Sequence, residues 1–226
     1  MVTVAELQAE NDNRGLIRKV TRAVAFLAPT SVDLPETLTG ADGTLETLPE
    51  DWLPVGIVSP DGYTFGTDID KDEIDALGYA SPVRTDIMSV VRSITFTPLE
   101  YGRRHMLELT YGQDLSGITP SAGGEITFDE VDMPINAEWR LLVIGDDGPA
   151  SDNWLLGRGY PRVKLGERAE EQWQKEGALS QELTLDVFTD QDLGTPVRHY
   201  IAGTGAQKNA DALGFGEPDG GGGVEG

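Results

Sequence analysis

At 226 residues the chain is long enough to bury one sizeable core, and a split into two small domains is the less favoured division. Its 39 acidic against 17 basic residues leave a net charge of −22, which excludes a nucleic-acid reader built on a positive face but not a protein that must avoid sticking to nucleic acid. The lack of cysteine rules out a disulfide framework and thiolate chemistry and suits cytosolic synthesis, and no window approaches the ~18 apolar residues of a membrane span.

The N-terminus lacks the charged-then-apolar layout of a secretory signal. Glycine and proline together make 41 residues, above their roughly 12% average usage, which suits a turn-rich β protein. Thr3-Val4-Ala5-Glu6 is a capping-box pattern before a short helix ending near Asn13. Residues 15–28 fit two periods: Ile17, Val20, Ala23, Val24 and Leu27 make a helix face, while Val20, Val24 and Phe26 suit a strand. Arg14, Arg18, Lys19 and Arg22 make this the one notable basic patch, either a solvated face or a surface for an acidic neighbour. Residues 31–75 carry twelve acids and one base, punctuated by Pro35, Gly40, Gly43, Pro49, Pro54 and Pro60. That pattern predicts loops and short strands wrapping a surface.

Residues 87–97 are rich in β-branched side chains, with Met88, Val90, Ile94 and Phe96 on one alternating face, so a strand is predicted. Eleven residues span roughly 36 Å, about twice a typical strand. Such a strand is longer than one domain needs, so its distal part is expected to be ordered by a neighbouring subunit. Arg92, Ile87 and Val91 break the alternation, so both faces are expected to meet protein. A helix is predicted to follow, with Thr97 as cap, Pro98 at the first position and Glu100 reaching back. Leu99, Met106 and Leu109 form its apolar stripe and Gly112 its stop. Gly102 weakens it by around 1 kcal/mol relative to alanine, so it leans on packing.

Beyond a turn-rich link at 116–124, residues 125–128 are predicted as a short strand. A buried strand follows around Trp139-Arg140-Leu141-Leu142-Val143-Ile144, ending in a Gly145-Asp146-Asp147-Gly148 turn. Residues 154–165 read as a strand with a bulge at Gly157 and Gly159. Residues 168–176 have helical propensity, but their flanking glycines favour a polar hairpin region. Residues 183–188 alternate as a strand, 197–201 form the last strand, and 213–226 read as a flexible Gly-rich tail.

Motifs for chemistry fail one by one. Asp68-x-Asp70-x-Asp72 opens like a calcium loop, but Glu73 stands where glycine is needed and Tyr79 where the bidentate glutamate belongs. His105 and His199 are far apart without cysteine partners, which speaks against zinc, and His105 reads as a packed or surface residue. No phosphate loop, nucleophile elbow or HExxH motif occurs. Trp52, Trp139, Trp154 and Trp173 read as core or interface anchors. No catalytic, cofactor or metal site is predicted, so the chain is expected not to be an enzyme.

Several blocks resemble the major tail protein, the tail tube subunit, of long-tailed bacteriophages, particularly the actinobacteriophage type. They are Val55-Gly56-Ile57, Asp61-Gly62-Tyr63-Thr64-Phe65 with the acidic segment after it, Pro82-Val83-Arg84-Thr85-Asp86, the long strand, and Thr97-Pro98-Leu99-Glu100. Later matches are Tyr160-Pro161-Arg162-Val163, Leu183-Thr184-Leu185-Asp186-Val187-Phe188, Asp192-Leu193-Gly194 and Val197-Arg198-His199-Tyr200. The resemblance covers residues 15–203. It implies a mainly β fold, a β-sandwich or barrel with one flanking α-helix and long loops, and it makes residues 15–28 a strand. The division it implies is an N-terminal arm at 1–14, a tail tube domain at 15–212 and the tail at 213–226. It further implies hexameric rings stacked into a tube in the virion tail, assembled in the host cytoplasm. The implied partners are other copies of the chain, the tape measure, tail terminator and distal tail proteins, and passing DNA that is not specifically bound; no membrane is involved. Ile87, Val90, Val91 and Arg92 are the expected self-assembly residues, and Asp86, Glu125 and Asp129 the expected bore-lining acids. The alternative is an acidic β-sandwich binding module, for carbohydrate for example, with an acid hydrolase third.

Overall fold

A computed structural model describes residues 2–216. The chain is mainly β, with eight antiparallel strands in one sheet: β1 (Arg22–Pro29), β2 (Leu53–Pro54), β3 (Val58–Ile74), β4 (Arg84–Pro98), β5 (Trp139–Asp147), β6 (Trp154–Arg168), β7 (Leu183–Val187) and β8 (Arg198–Ala202). Three short helices accompany them: α1 (Val4–Asn11), α2 (Arg104–Tyr111) and α3 (Thr204–Lys208). The strand order is β2-β1-β5-β6-β7-β4-β3, with β8 also on β6.

β6 is the pivot. Residues 154–163 pair with β5 along one edge, residues 155–159 with β8 along the other, and residues 163–168 with β7. One fifteen-residue strand therefore belongs to three ladders and lets the sheet fold over. Phe65 of β3 stacks on Tyr160 of β6 at 6.4 Å between ring centroids, although β7 and β4 lie between them in the sheet. The result is sandwich-like, with α2 closing one side.

Pleating sorts the side chains into two cores. Leu141 joins Leu27, Ile94, Phe96, Val163 and Leu185 in the cluster under α2, which contributes Met106 and Leu109. The next residue, Leu142, points the other way, joining Ile144, Leu155 and Tyr200 beneath Leu34, Leu38 and Trp52 of the β1–β2 connection. Gly157 and Gly159 serve this second core. A Cβ at Gly157 would lie 2.6 Å from Leu38 Cδ1, and one at Gly159 2.8 Å from Leu34 Cδ1. The expected bulge there is absent, because the β5–β6 register runs unbroken through both glycines. The irregularities fall instead between Trp139 and Leu141 and between Leu165 and Glu167.

Several local expectations hold. The Thr3–Glu6 capping box closes in both directions, Gly112 ends α2 in the left-handed region at φ 60, and residues 22–29 are a strand. Others are corrected. β4 continues through Thr97 to Pro98, so Thr97 caps nothing and α2 starts at Arg104. Glu100 is used elsewhere: it accepts the Ile57 N–H at 2.8 Å and pairs with Arg103. Residues 125–128 are not a strand; Glu125 and Asp129 lie in the long exposed connection from α2 to β5. The acidic run 68–75 is not loop but mostly the distal half of β3. The expected tail begins within the described residues, while 217–226 lie outside them.

Candidate functional site

Beyond the body of the sheet, β3 and β4 continue as a two-stranded arm. β7 covers β4 only at residues 92–96, whereas the β3–β4 ladder runs on to Ile74 opposite Arg84, with residues 75–83 as the turn. About eight further residues per strand carry the arm roughly 25 Å past the body. The distal part of the long strand is thus ordered by β3 of the same chain, not left waiting for a neighbour as its length had implied. Its opposite edge, at residues 84–91, is bare, and so is the outer edge of β3.

The arm is apolar where water meets it. Ile87 is 64% exposed, Met88 65%, Val91 58% and Leu77 fully so, with Tyr79 and Val83 also exposed. Of the expected self-assembly residues, Ile87 and Val91 are open, while Val90 and Arg92 are half-buried where the arm joins the body. Cross-strand pairing puts Val90 opposite Ile69 and Val91 opposite Asp68, so the two valines serve opposite faces.

One of those faces is acidic. Asp68, Asp70 and Asp72 alternate along β3, opposite Val91, Ser89 and Asp86 of β4. The same face runs into the body through Ser93 opposite Asp186, which is opposite Lys164, and through Thr95, whose hydroxyl meets that of Thr184 at 2.9 Å. Each of these side chains is exposed or half-exposed, while Ile94, Phe96, Leu183 and Leu185 on the reverse face are buried. Asp72 and Asp86 are like charges directly opposed, which is unfavourable. Arg84 offsets this with an ion pair to Asp86 at 2.6 Å. Of the three acids expected to line a bore, the structure puts Asp86 on this face, and Glu125 and Asp129 on the separate α2–β5 connection. Sequence reasoning passed over Asp68, Asp70, Asp72 and Asp186, though the period of two in the first three was visible once the run is taken as strand.

The basic patch is largely spent inside the chain. Arg14 pairs with Asp12 at 2.9 Å, Arg18 with Asp147 at 3.5 Å and Arg22 with Asp146 at 2.5 Å. It offers little free charge to an acidic neighbour.

Titration is perturbed at structural joints. The Ile57 N–H, and then Arg103, hold Glu100 below the usual carboxylate range. Hydrogen bonds from Arg162 and Lys164 do the same to Glu138. Burial lowers His105, whose Nε2 lies 2.8 Å from the Pro54 carbonyl and ties α2 to β2. Burial alone pushes the Tyr63 phenol up to about 12. None of these groups sits beside a second group poised to take or give a proton, and no three metal-ligating side chains converge among the described residues. A cleft of about 800 Å³ opens between the start of β3 and the β1–β5–β6–β8 wall, lined by Arg22, Tyr63, Arg158 and His199 among others. Arg158 there lies over the Phe65 ring at 4.0 Å. No described helix is long and apolar enough to cross a membrane.

No protein-family model matches the chain, and no curated protein matches its sequence. Among solved structures the chain is similar to the tail tube of SPP1, determined by solid-state NMR and cryo-EM, at 11% identity over 82% of this chain and 81% of that one, with a TM-score of 0.35.

Proposed function

We propose that this chain is a structural virion protein that assembles with copies of itself into stacked rings, hexameric as the resemblance implies, forming the tube of a phage tail. The observation that supports this most is the β3–β4 arm. A two-stranded ribbon is marginally stable in water by itself, and bare strand edges invite pairing with another chain. This arm combines both with exposed Ile87, Met88 and Leu77. Covering it with another copy buries the apolar side chains, and a repeated head-to-tail contact closes into a ring.

The acidic face of the arm and sheet is the surface proposed to face the bore, where carboxylates repel phosphate and DNA slides without being held. On this reading the chain is not an enzyme and needs no cofactor. It works in the virion tail after assembly in the host cytoplasm, and meets the tape measure, tail terminator and distal tail proteins.

Negative-stain microscopy across a concentration series tests the proposal. Rings or tubes are expected from concentrated protein. Monodisperse monomers throughout would overturn it and favour an acidic sandwich that binds other molecules.

A further inference from the structure

We propose that the cavity beneath the β1–β2 connection is a binding site for a carboxylate carried on an apolar stem, received by Arg140 and Trp52. Arg140 stands opposite Ala28 in the β1–β5 ladder, on the same face as Leu142 and Ile144, so the pleat drives its side chain into the second core. It is only 8% exposed, and its Nε and Nη1 have no hydrogen-bond partner. No carboxylate among the described residues lies within ion-pair distance of it. Trp52, 4% exposed, likewise has an unpartnered indole Nε1–H. Both line one cavity of about 590 Å³.

Buried polar groups are nearly always satisfied, and a buried guanidinium without an anion is costly, so orphan donors on two residues that line one cavity point to an acceptor that enters it. The rest of the cavity narrows its chemistry. Leu34, Leu38 and Leu48 give apolar walls suited to a hydrocarbon stem. Asp33, Glu36 and Glu46 also line it, and they disfavour a dianion such as phosphate more than a monoanion. Arg198 adds a second cation to the lining, steadied by its Nη1, which donates to the Pro35 carbonyl at 3.0 Å; that carbonyl also accepts from the Tyr200 hydroxyl. The volume suits a small organic acid or a single acidic side chain. The shared chemistry has two sources, a free organic carboxylate or an Asp or Glu side chain from a second copy of this chain.

The test follows the Trp52 indole N–H resonance of the full chain while benzoate or butyrate is added at constant ionic strength. Concentrations up to roughly 50 mM reveal even millimolar affinity. A saturable shift with benzoate and butyrate, but not with phosphate, is expected. Arg140→Gln should weaken it at least about tenfold. Should that variant fail to fold, Arg140→Lys, which keeps the charge but loses the planar donor array, should weaken it less. A Trp52 resonance that moves with protein concentration, and that benzoate returns to its dilute position, assigns the carboxylate to a second copy. A resonance insensitive to both probes and to protein concentration, with water exchange at the indole, means the donors are met by water only and overturns the proposal. So does an equal response to phosphate.

Discussion

The same two strands behave as two different materials along their length. In the body, β4 sends Ile94 and Phe96 into the core at 0% and 2% exposure, flanked by β3 on one side and β7 on the other. A few residues earlier the pairing with β3 continues, but nothing covers the faces, and Ile87, Met88 and Val91 meet water. Backbone pairing is shared by the two regions, so it is not what separates them. Side-chain burial separates them: the body is stabilised by its own core, and the arm only by its ladder.

The first way to break this comparison is to cut into the body. Phe96→Ala should destabilise the monomer by about 3–5 kcal/mol, because a fully buried ring is deleted between β3 and β7. Met106→Ala and Leu109→Ala should each cost about 2–5 kcal/mol by opening the contact of α2 with the same cluster. Denaturant midpoints measure all three. Unchanged midpoints would mean that these side chains are not the core they form here.

The arm should answer in the opposite way. Ile87→Asp, at an exposed position on the arm face turned away from the acids, is expected to move monomer stability by less than about 0.5 kcal/mol, as surface changes do. The same substitution should abolish rings and tubes in the microscope, and the double change with Val90→Asp should do so as well. Normal tubes from either variant would show that the arm is not the assembling element. Replacing Asp68, Asp70 and Asp86 by lysine should leave tubes that now retain duplex DNA in co-sedimentation, with retention falling steeply as salt rises. Placing the same lysines at Glu125 and Asp129 separates this face from the α2–β5 connection as the bore.

A smaller effect tests the joint between α2 and β2. His105 is buried and its pKa is lowered, so it is neutral in the fold and must lose stability when forced to charge. Its contribution is fully present above the ordinary value of about 6.5 and is lost as pH falls below it. Thermal midpoints measured down from neutral pH should therefore decline, and His105→Gln should flatten the decline. Glu100 works in the same direction further down: its pKa is lowered, so its stabilisation is fully present above the ordinary carboxylate value and is lost progressively as pH falls from there through its depressed value.

Much of the body was legible because its signals are local. The Thr3–Glu6 box, the Gly112 stop, the alternation of residues 183–187 and the apolar stripe of Met106 and Leu109 each need only neighbours in sequence to be interpreted. The errors came where a local signal was answered by a distant partner. Thr97-Pro98-Leu99-Glu100 has the chemistry of a helix start, but β7 holds the chain extended as far as Phe96 and Val58 of β3 pairs with Pro98, while Ile57 claims the Glu100 carboxylate. The acidic run 68–75 looks like solvated loop by composition, yet a strand exposed on both faces has no need for apolar residues. Gly157 and Gly159 look like strand breakers, whereas they make room for Leu34 and Leu38, more than a hundred residues earlier. The Arg140 and Trp52 cavity had no sequence signal, because it depends on where the β1–β2 connection lands.

The internal pairing of Arg14, Arg18 and Arg22 has a consequence for the proposed assembly of copies of the chain. With those cations already matched to Asp12, Asp146 and Asp147, subunits of net charge −22 approach one another as like-charged colloids. Attraction between them is then short-ranged, carried by apolar contact and strand edges, and it acts only after a longer-ranged electrostatic barrier is crossed. Counterions set the height of that barrier, since the Debye length shrinks from about 30 Å at 0.01 M salt to about 8 Å at 0.15 M. The critical concentration for polymerisation should accordingly fall as ionic strength rises, so that the salt which loosens DNA from a lysine-substituted bore is the salt that helps the tube to grow.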